Sequence, residues 1–98
     1  MQLKGSQKKY LRGMAHNLRP VVMVGKNGVT NDLIGAVIQA LDSQELIKVK
    51  FIDYKEKKKA LSNDIEQRAG AELVGMIGNI AILYRQHPDT DKRKISLP

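Results

Sequence analysis

Residues 21–32 read VVMVGKNGVTND, and the meaning of this stretch decides how the rest of the chain folds. Val21 to Val24 is a short apolar run rich in β-formers, bounded by Pro20 and Gly25, which is the signature of a buried strand. Thr30 then stands where a helix N-cap belongs, with Val29 and Ile34 placed to staple its start. The stretch is therefore strand, glycine loop, helix. Its loop offers Lys26 and Asn27 between Gly25 and Gly28.

Working outward, a first helix is expected from a Ser6 cap to about Asn17, with Tyr10, Leu11, Met14, Ala15 and Leu18 on one apolar stripe. Lys8, Lys9, Arg12 and His16 fall on the polar side, and Pro20 ends the segment. The helix after Thr30 repeats the spacing through Leu33, Ile34, Val37, Ile38 and Leu41. Residues 46–52, LIKVKFI, form a second strand with Ile47, Val49 and Phe51 on one face and Lys48 and Lys50 on the other. Those lysines predict an edge or half-exposed strand, where they would either bind or protect the edge from aggregation.

A third helix is expected from near Asp53, with Leu61 and Ile65 as its core stripe and Gly70 as its left-handed stop. Leu73–Ile77 and Ile80–Tyr84 flank Gly78 and Asn79, the two-residue spacing of a tight hairpin. The order is α-β-α-β-α-β-β in one α/β domain, with a four-stranded mixed sheet packed with helices. Residues 86–98 are polar and expected to form a loose tail, docked if at all by Ile95 and Leu97.

Composition bounds the function. The chain carries no cysteine, so disulfides, thiolate metal sites and thiol nucleophiles are excluded. No apolar run approaches the ~18 residues of a membrane span, and MQLKGSQKKY has no signal core, so a cytoplasmic protein is expected. The formal charge is +7, and it is unevenly spread: residues 1–30 hold six bases and no acid, whereas residues 31–98 hold eleven bases and ten acids. Lys4, Lys8, Lys9, Arg12, Arg19 and Lys26 are those six. A polyanionic partner follows as the natural expectation.

If the first two strands are parallel through a right-handed crossover, their carboxyl ends share an edge that receives the GKNG loop and the start of the third helix, with Lys55, Lys57, Lys58 and Lys59. An antiparallel first helix would bring Lys4, Lys8 and Lys9 to the same edge. Backbone amides of a glycine loop suit phosphate oxygens, although Asp32 partly opposes an anion there. The loop lacks the Lys-Ser/Thr of a P-loop and the third glycine of a dinucleotide fingerprint. Taken alone, GxxG reads first as an ordinary strand-to-helix turn, and its convergence with the uneven charge reverses that preference.

Nothing marks a catalyst: no serine lies in a nucleophile elbow and no acid–base pair stands out, so no enzyme is expected, and no cofactor or small-molecule substrate. His16 and His87 read as surface residues, and metal binding would need more ligands than they supply. With only Tyr10, Tyr54, Tyr84 and Phe51 as aromatics, and Tyr10 and Phe51 assigned to the core, base stacking over a wide platform is not expected.

The segments KKYLRGMAHNLRPVVMVGKNGVT, ELIKVK, ELVGMIGNIAILYR and KISLP together resemble the CRM (chloroplast RNA splicing and ribosome maturation) domain, in its single-domain bacterial YhbY-like form. That resemblance implies an RNA-binding domain similar in fold to the C-terminal domain of translation initiation factor three. It further implies association with ribosomal RNA in large-subunit precursors. The family's loop maps onto Gly25, Lys26, Asn27 and Gly28, its basic helix onto Lys8, Lys9, Arg12 and His16, and its LYR ending onto Arg85. A monomer is expected. The rival readings are a protein-binding adapter that docks on a ribosomal protein or assembly factor, and a small-ligand phosphate binder.

Overall fold

Pro20 and Gly25 bound a strand of three residues, β1 (Val22–Val24), in a computed structural model that describes residues 2–98. α1 (Gly5–Ala15) precedes it, and α2 (Asn31–Gln44), β2 (Leu46–Phe51), α3 (Lys58–Ala69), β3 (Glu72–Ile77) and β4 (Ile80–Tyr84) follow. The sheet order is β1-β2-β4-β3, with β1 parallel to β2 and the other pairs antiparallel. The expected order of elements and the mixed four-stranded sheet are both present.

Alternation along the strands sends side chains to two separate cores. On one face Val22, Val24, Ile47, Val49, Phe51, Ala81 and Leu83 meet Ile34, Val37 and Leu41 of α2 and Ile65 and Ala69 of α3. On the other, Leu46, Val74, Ile82 and Tyr84 meet Leu3, then Leu11 and Ala15 of α1, and Ile95 of the tail. Burial of this apolar area, worth about 25 cal/mol per Å², is what holds the layers together.

Most local signals act as the sequence predicts. The Thr30 hydroxyl accepts from the Leu33 amide at 3.1 Å, Gly70 closes α3 at φ +64, and Gly78 turns the hairpin at φ +57. Three expectations need correction. The first helix starts before Ser6: its N-cap is Lys4, whose amide donates to the Gln7 side chain at 2.9 Å. α3 begins only at Lys58, after a left-handed Tyr54 (φ +56) and a 3₁₀ turn over Lys55–Lys57. And β2 is a central strand, so Lys48 and Lys50 protect no edge.

The tail is also less loose than its composition implies. α2 ends at Glu45, which takes φ +64 and turns its carboxylate inward until the residue is 1% exposed. That carboxylate accepts from the amides of His87 (2.7 Å), Lys94 (2.6 Å) and Ile95 (3.0 Å). Three donors replace the water it has lost, which is the condition for burying a charge. Residues 86–98 thus lie docked along the domain, with Ile95 buried and the Pro98 carbonyl accepting from Gln7 at 3.1 Å.

Candidate nucleic-acid interface

Gly25, Lys26, Asn27 and Gly28 form a closed turn at the carboxyl end of β1, with the Gly28 amide donating to the Gly25 carbonyl at 3.0 Å. Gly28 sits at φ +72, where an L side chain is strained, and a Cβ there would lie 3.5 Å from the Tyr54 ring. Tyr54 itself donates its hydroxyl to the Lys26 carbonyl at 2.7 Å. From the α3 side, Arg68 donates to the Val29 carbonyl (3.2 Å) and the Asn31 side chain (2.6 Å), while pairing with Asp64 at 3.2 Å. The turn is thus braced from below and behind, and the side chains of Lys26 and Asn27 remain exposed.

Gly25 is different. Its φ is ordinary, and nothing lies within 4 Å of where its Cβ would be. No internal packing demands glycine there; what its bareness leaves open is main chain facing outward.

One row of residues runs across all four strands at this same edge: Met23, Lys50, Ile80 and Ile77, in register. These side chains share the face on which α1 packs, but α1 covers only the other half of that face. Met23 and Ile77 are 49% and 55% exposed, and Ile52 just beyond is 56% exposed. Lys50 is exposed in the middle of the strip, and no acid occupies the row.

α1 departs from the expected course. The Leu3 amide donates to the Glu72 carboxylate at 3.1 Å, and Glu72 lies in register with Tyr84 and Leu46, at the opposite end of the sheet from the GKNG turn. From there α1 crosses the sheet obliquely, reaching β3 at Arg12 and β2 at its last turn. Lys4 is therefore at the far edge, and Lys8 and Arg12 are not gathered beside Lys26. Arg12 stands over β3, three strand intervals or roughly 14 Å of sheet from β1. The single cradle of charge drawn from the sequence is instead an open strip, with Lys26 at one end, Lys50 in it and Arg12 at the other.

Arg12 is held in place. β3 carries a bulge between Leu73 and Gly75, so that Val74 and Gly75 both stand opposite Ile82. The Arg12 alkyl chain fills the room beside Gly75, where a Cβ would lie 2.5 Å from its Cδ, and Nη1 donates to the Val74 carbonyl at 2.8 Å. The residue is still exposed, leaving donors for a ligand.

Two other basic candidates are occupied within the fold. Lys48 is 8% exposed, with Nζ donating to the carbonyls of Leu18 (3.0 Å) and His16 (3.5 Å), orphans at the end of α1. Arg85 donates to the carbonyls of Ala69 (3.1 Å) and Ile38 (3.4 Å) and pairs with Asp42, tying α2 to α3. His16, Arg19 and Lys9 are exposed. Of the third-helix lysines, Lys58 bridges to the hairpin turn through the Gly78 carbonyl (2.7 Å) and Asn79 (3.2 Å), while Lys55, Lys57 and Lys59 face solvent.

Sequence reasoning missed Tyr54 and Arg68, which brace the loop. Tyr10, expected in the core from its place on the apolar stripe, is 43% exposed. Among the described residues no three His, Asp or Glu side chains gather as a metal site, and no helix is long and apolar enough to cross a membrane.

Fold and site together define a small basic α/β domain that presents a braced cationic turn beside an uncovered strip of sheet. The chain belongs to the CRS1 / YhbY (CRM) domain family, whose model matches residues 3–85. It is 41% identical over 97 residues to an RNA-binding protein of Haemophilus influenzae, covering 98% of this chain and 95% of that one. It is 36% identical over 97 residues to the "Probable RNA-binding protein YqeI" of Bacillus subtilis, covering 98% and 99%. The fold is similar, at a TM-score of 0.82 and 34% identity, to the solution structure of a Staphylococcus aureus hypothetical protein for which RNA binding is proposed. That likeness covers 99% of this chain and 100% of the other.

Proposed function

We propose that this chain binds RNA, specifically ribosomal RNA in precursors of the large subunit, and assists assembly there as a cytoplasmic monomer without catalytic activity. The observation that carries the reading is the GKNG turn. The turn is closed by the Gly28 amide on the Gly25 carbonyl and held by the Tyr54 hydroxyl on the Lys26 carbonyl, its tip is exposed, and among the described residues Lys26 has no carboxylate partner. An exposed, unpaired cation on a braced turn suits a phosphate oxygen. The names of the relatives and the acid-free first thirty residues support the same reading.

In this arrangement a backbone crosses the strip from Lys26 past Lys50 to Arg12, with Lys8, Lys9, His16 and Arg19 available to flanking RNA and Lys55, Lys57 and Lys59 on the loop side. Lys4, Lys48 and Arg85 drop to the margin, for the reasons of position and occupancy given above. Recognition rests on phosphate and shape, which gives weak intrinsic sequence preference.

Replacing Lys26→Asp together with Asn27→Asp keeps both glycines. The double variant should melt as the parent does by circular dichroism and bind a large-subunit ribosomal RNA fragment about tenfold or more weakly by fluorescence anisotropy. Unchanged affinity in the folded variant would remove the loop from the interface.

The exposed Met23, Ile52 and Ile77 favour a second reading, in which the strip docks on a ribosomal protein or assembly factor. Ribonuclease treatment of a pull-down separates the two, because only protein-mediated association survives it.

A further inference from the structure

Beside the turn, around the corner from the open strip, lies a groove of about 590 Å³ between the outer edge of β1 and the first turns of α2. Val21, Met23, Leu33 and Ala36 give it an apolar lining, and Lys26 and Asn27 stand at one end. The exposed Arg19 precedes the other end, two residues before Val21.

The groove also contains unspent main chain. β1 is a terminal strand, bonded only to β2. Peptide groups alternate in direction along a strand. Val24 turns its carbonyl toward β2, where it accepts from the Ile52 amide at 3.0 Å. The N–H and C=O of Met23 therefore point the other way, into the groove, as one donor and one acceptor side by side.

We propose that this groove takes an unpaired nucleotide of the bound RNA, with its phosphate on the GKNG turn and the Watson–Crick edge of its base on the main chain of Met23. The inference rests on the RNA-binding reading and adds a substrate class to it: single-stranded segments, not duplex. In a duplex that edge of the base is already occupied. Because a main-chain donor and acceptor serve any base able to offer the complement, the contact requires unpairing without fixing sequence.

A polypeptide strand added to the same edge fits less well. β1 has three residues, closed off by Pro20 and Gly25, and offers only the Met23 pair, whereas strand addition draws on a run of such pairs. The unpaired Lys26 that lines the groove favours an anionic ligand. Asp32, which also lines the groove, repels phosphate from the α2 side. This places the phosphate at Lys26 and leaves the carboxylate to accept from a sugar hydroxyl or a base amino group.

The test uses the full chain, a mixed-sequence single-stranded RNA of eight nucleotides and a duplex of the same composition. In ¹⁵N-labelled protein, the Met23 amide should shift and gain hydrogen-exchange protection with the single strand and not with the duplex. Ala36→Trp, at an exposed helix position, fills the groove without touching the turn. It should weaken single-strand binding about tenfold and leave duplex binding at the parent value. A silent Met23 amide overturns the proposal, and that measurement needs no variant to fold. So does single-strand affinity unchanged in folded Ala36→Trp while Lys26→Asp, Asn27→Asp still loses binding. If the parent chain binds neither the single strand nor the duplex, the underlying RNA reading fails instead.

Discussion

Gly25 and Gly28 are the same residue type three positions apart, and the structure gives them opposite duties. Gly28→Ala forces an L side chain to φ +72 and should cost roughly 1–2 kcal/mol in urea unfolding. Gly25→Ala should keep stability to within about 0.5 kcal/mol and still weaken RNA binding, since its Cβ would stand in open space on the side of the proposed interface. The GxxG pattern was legible in the sequence; which glycine serves the fold was not, because that depends on the Tyr54 ring arriving from 26 residues further along.

Tyr84 makes a second residue-scale case. Burial, reinforced by the charge of Glu45 and opposed by Arg93, holds its hydroxyl above the ordinary value of 10.0. The folded state thus keeps a proton that the unfolded chain releases near pH 10. Stability from this group is complete below about pH 10 and is lost as pH rises beyond it. The urea midpoint should hold up to about pH 9 and fall as pH rises past about 10, and Tyr84→Phe should flatten that fall. Because the hydroxyl is buried with no hydrogen-bond partner, the same variant should be neutral or slightly stabilising at neutral pH.

At the scale of elements, the strand–loop–helix of residues 21–32, the hairpin at Gly78 and the Gly70 stop were readable because each is written in a few adjacent residues. The course of α1 was not. An apolar stripe says that a helix packs, and says nothing of the angle at which it crosses a sheet. That angle is set here by distant partners: Glu72 at its start, Gly75 beneath Arg12, and Lys48 at its end. For the same reason Lys48 looked like an exposed charge when it is a buried donor.

Docking of the tail is likewise an element-scale property, resting on the Glu45 carboxylate and three amides. Glu45→Gln replaces one acceptor oxygen with a donor facing donors and should cost about 1.5–3 kcal/mol. Hydrogen exchange at His87 and Ile95 should accelerate, while affinity for RNA, whose proposed interface is at the opposite edge, should stay at the parent value.

For the whole molecule, the excess of positive charge was evident from the first thirty residues, but its layout was not. The six bases are strung along α1, its exit and the turn, and reach both ends of the sheet. With about four to seven phosphates engaged, log K should fall linearly with log salt, at a slope near 0.7 to 0.9 per contact. A nearly flat dependence in an anisotropy titration would rule out a backbone clamp and favour the protein-docking reading.

Position 75, far from the loop, holds a further consequence. The missing methyl group there is what allows Arg12 to lie flat and keep its bond to Val74. Any larger residue would lift the guanidinium off the strand and release that donor, moving a charge outward without changing how many the protein carries. Variation at a silent-looking site on the outermost strand would thereby tune the reach of the surface, while the loop and the helix sequence stayed the same.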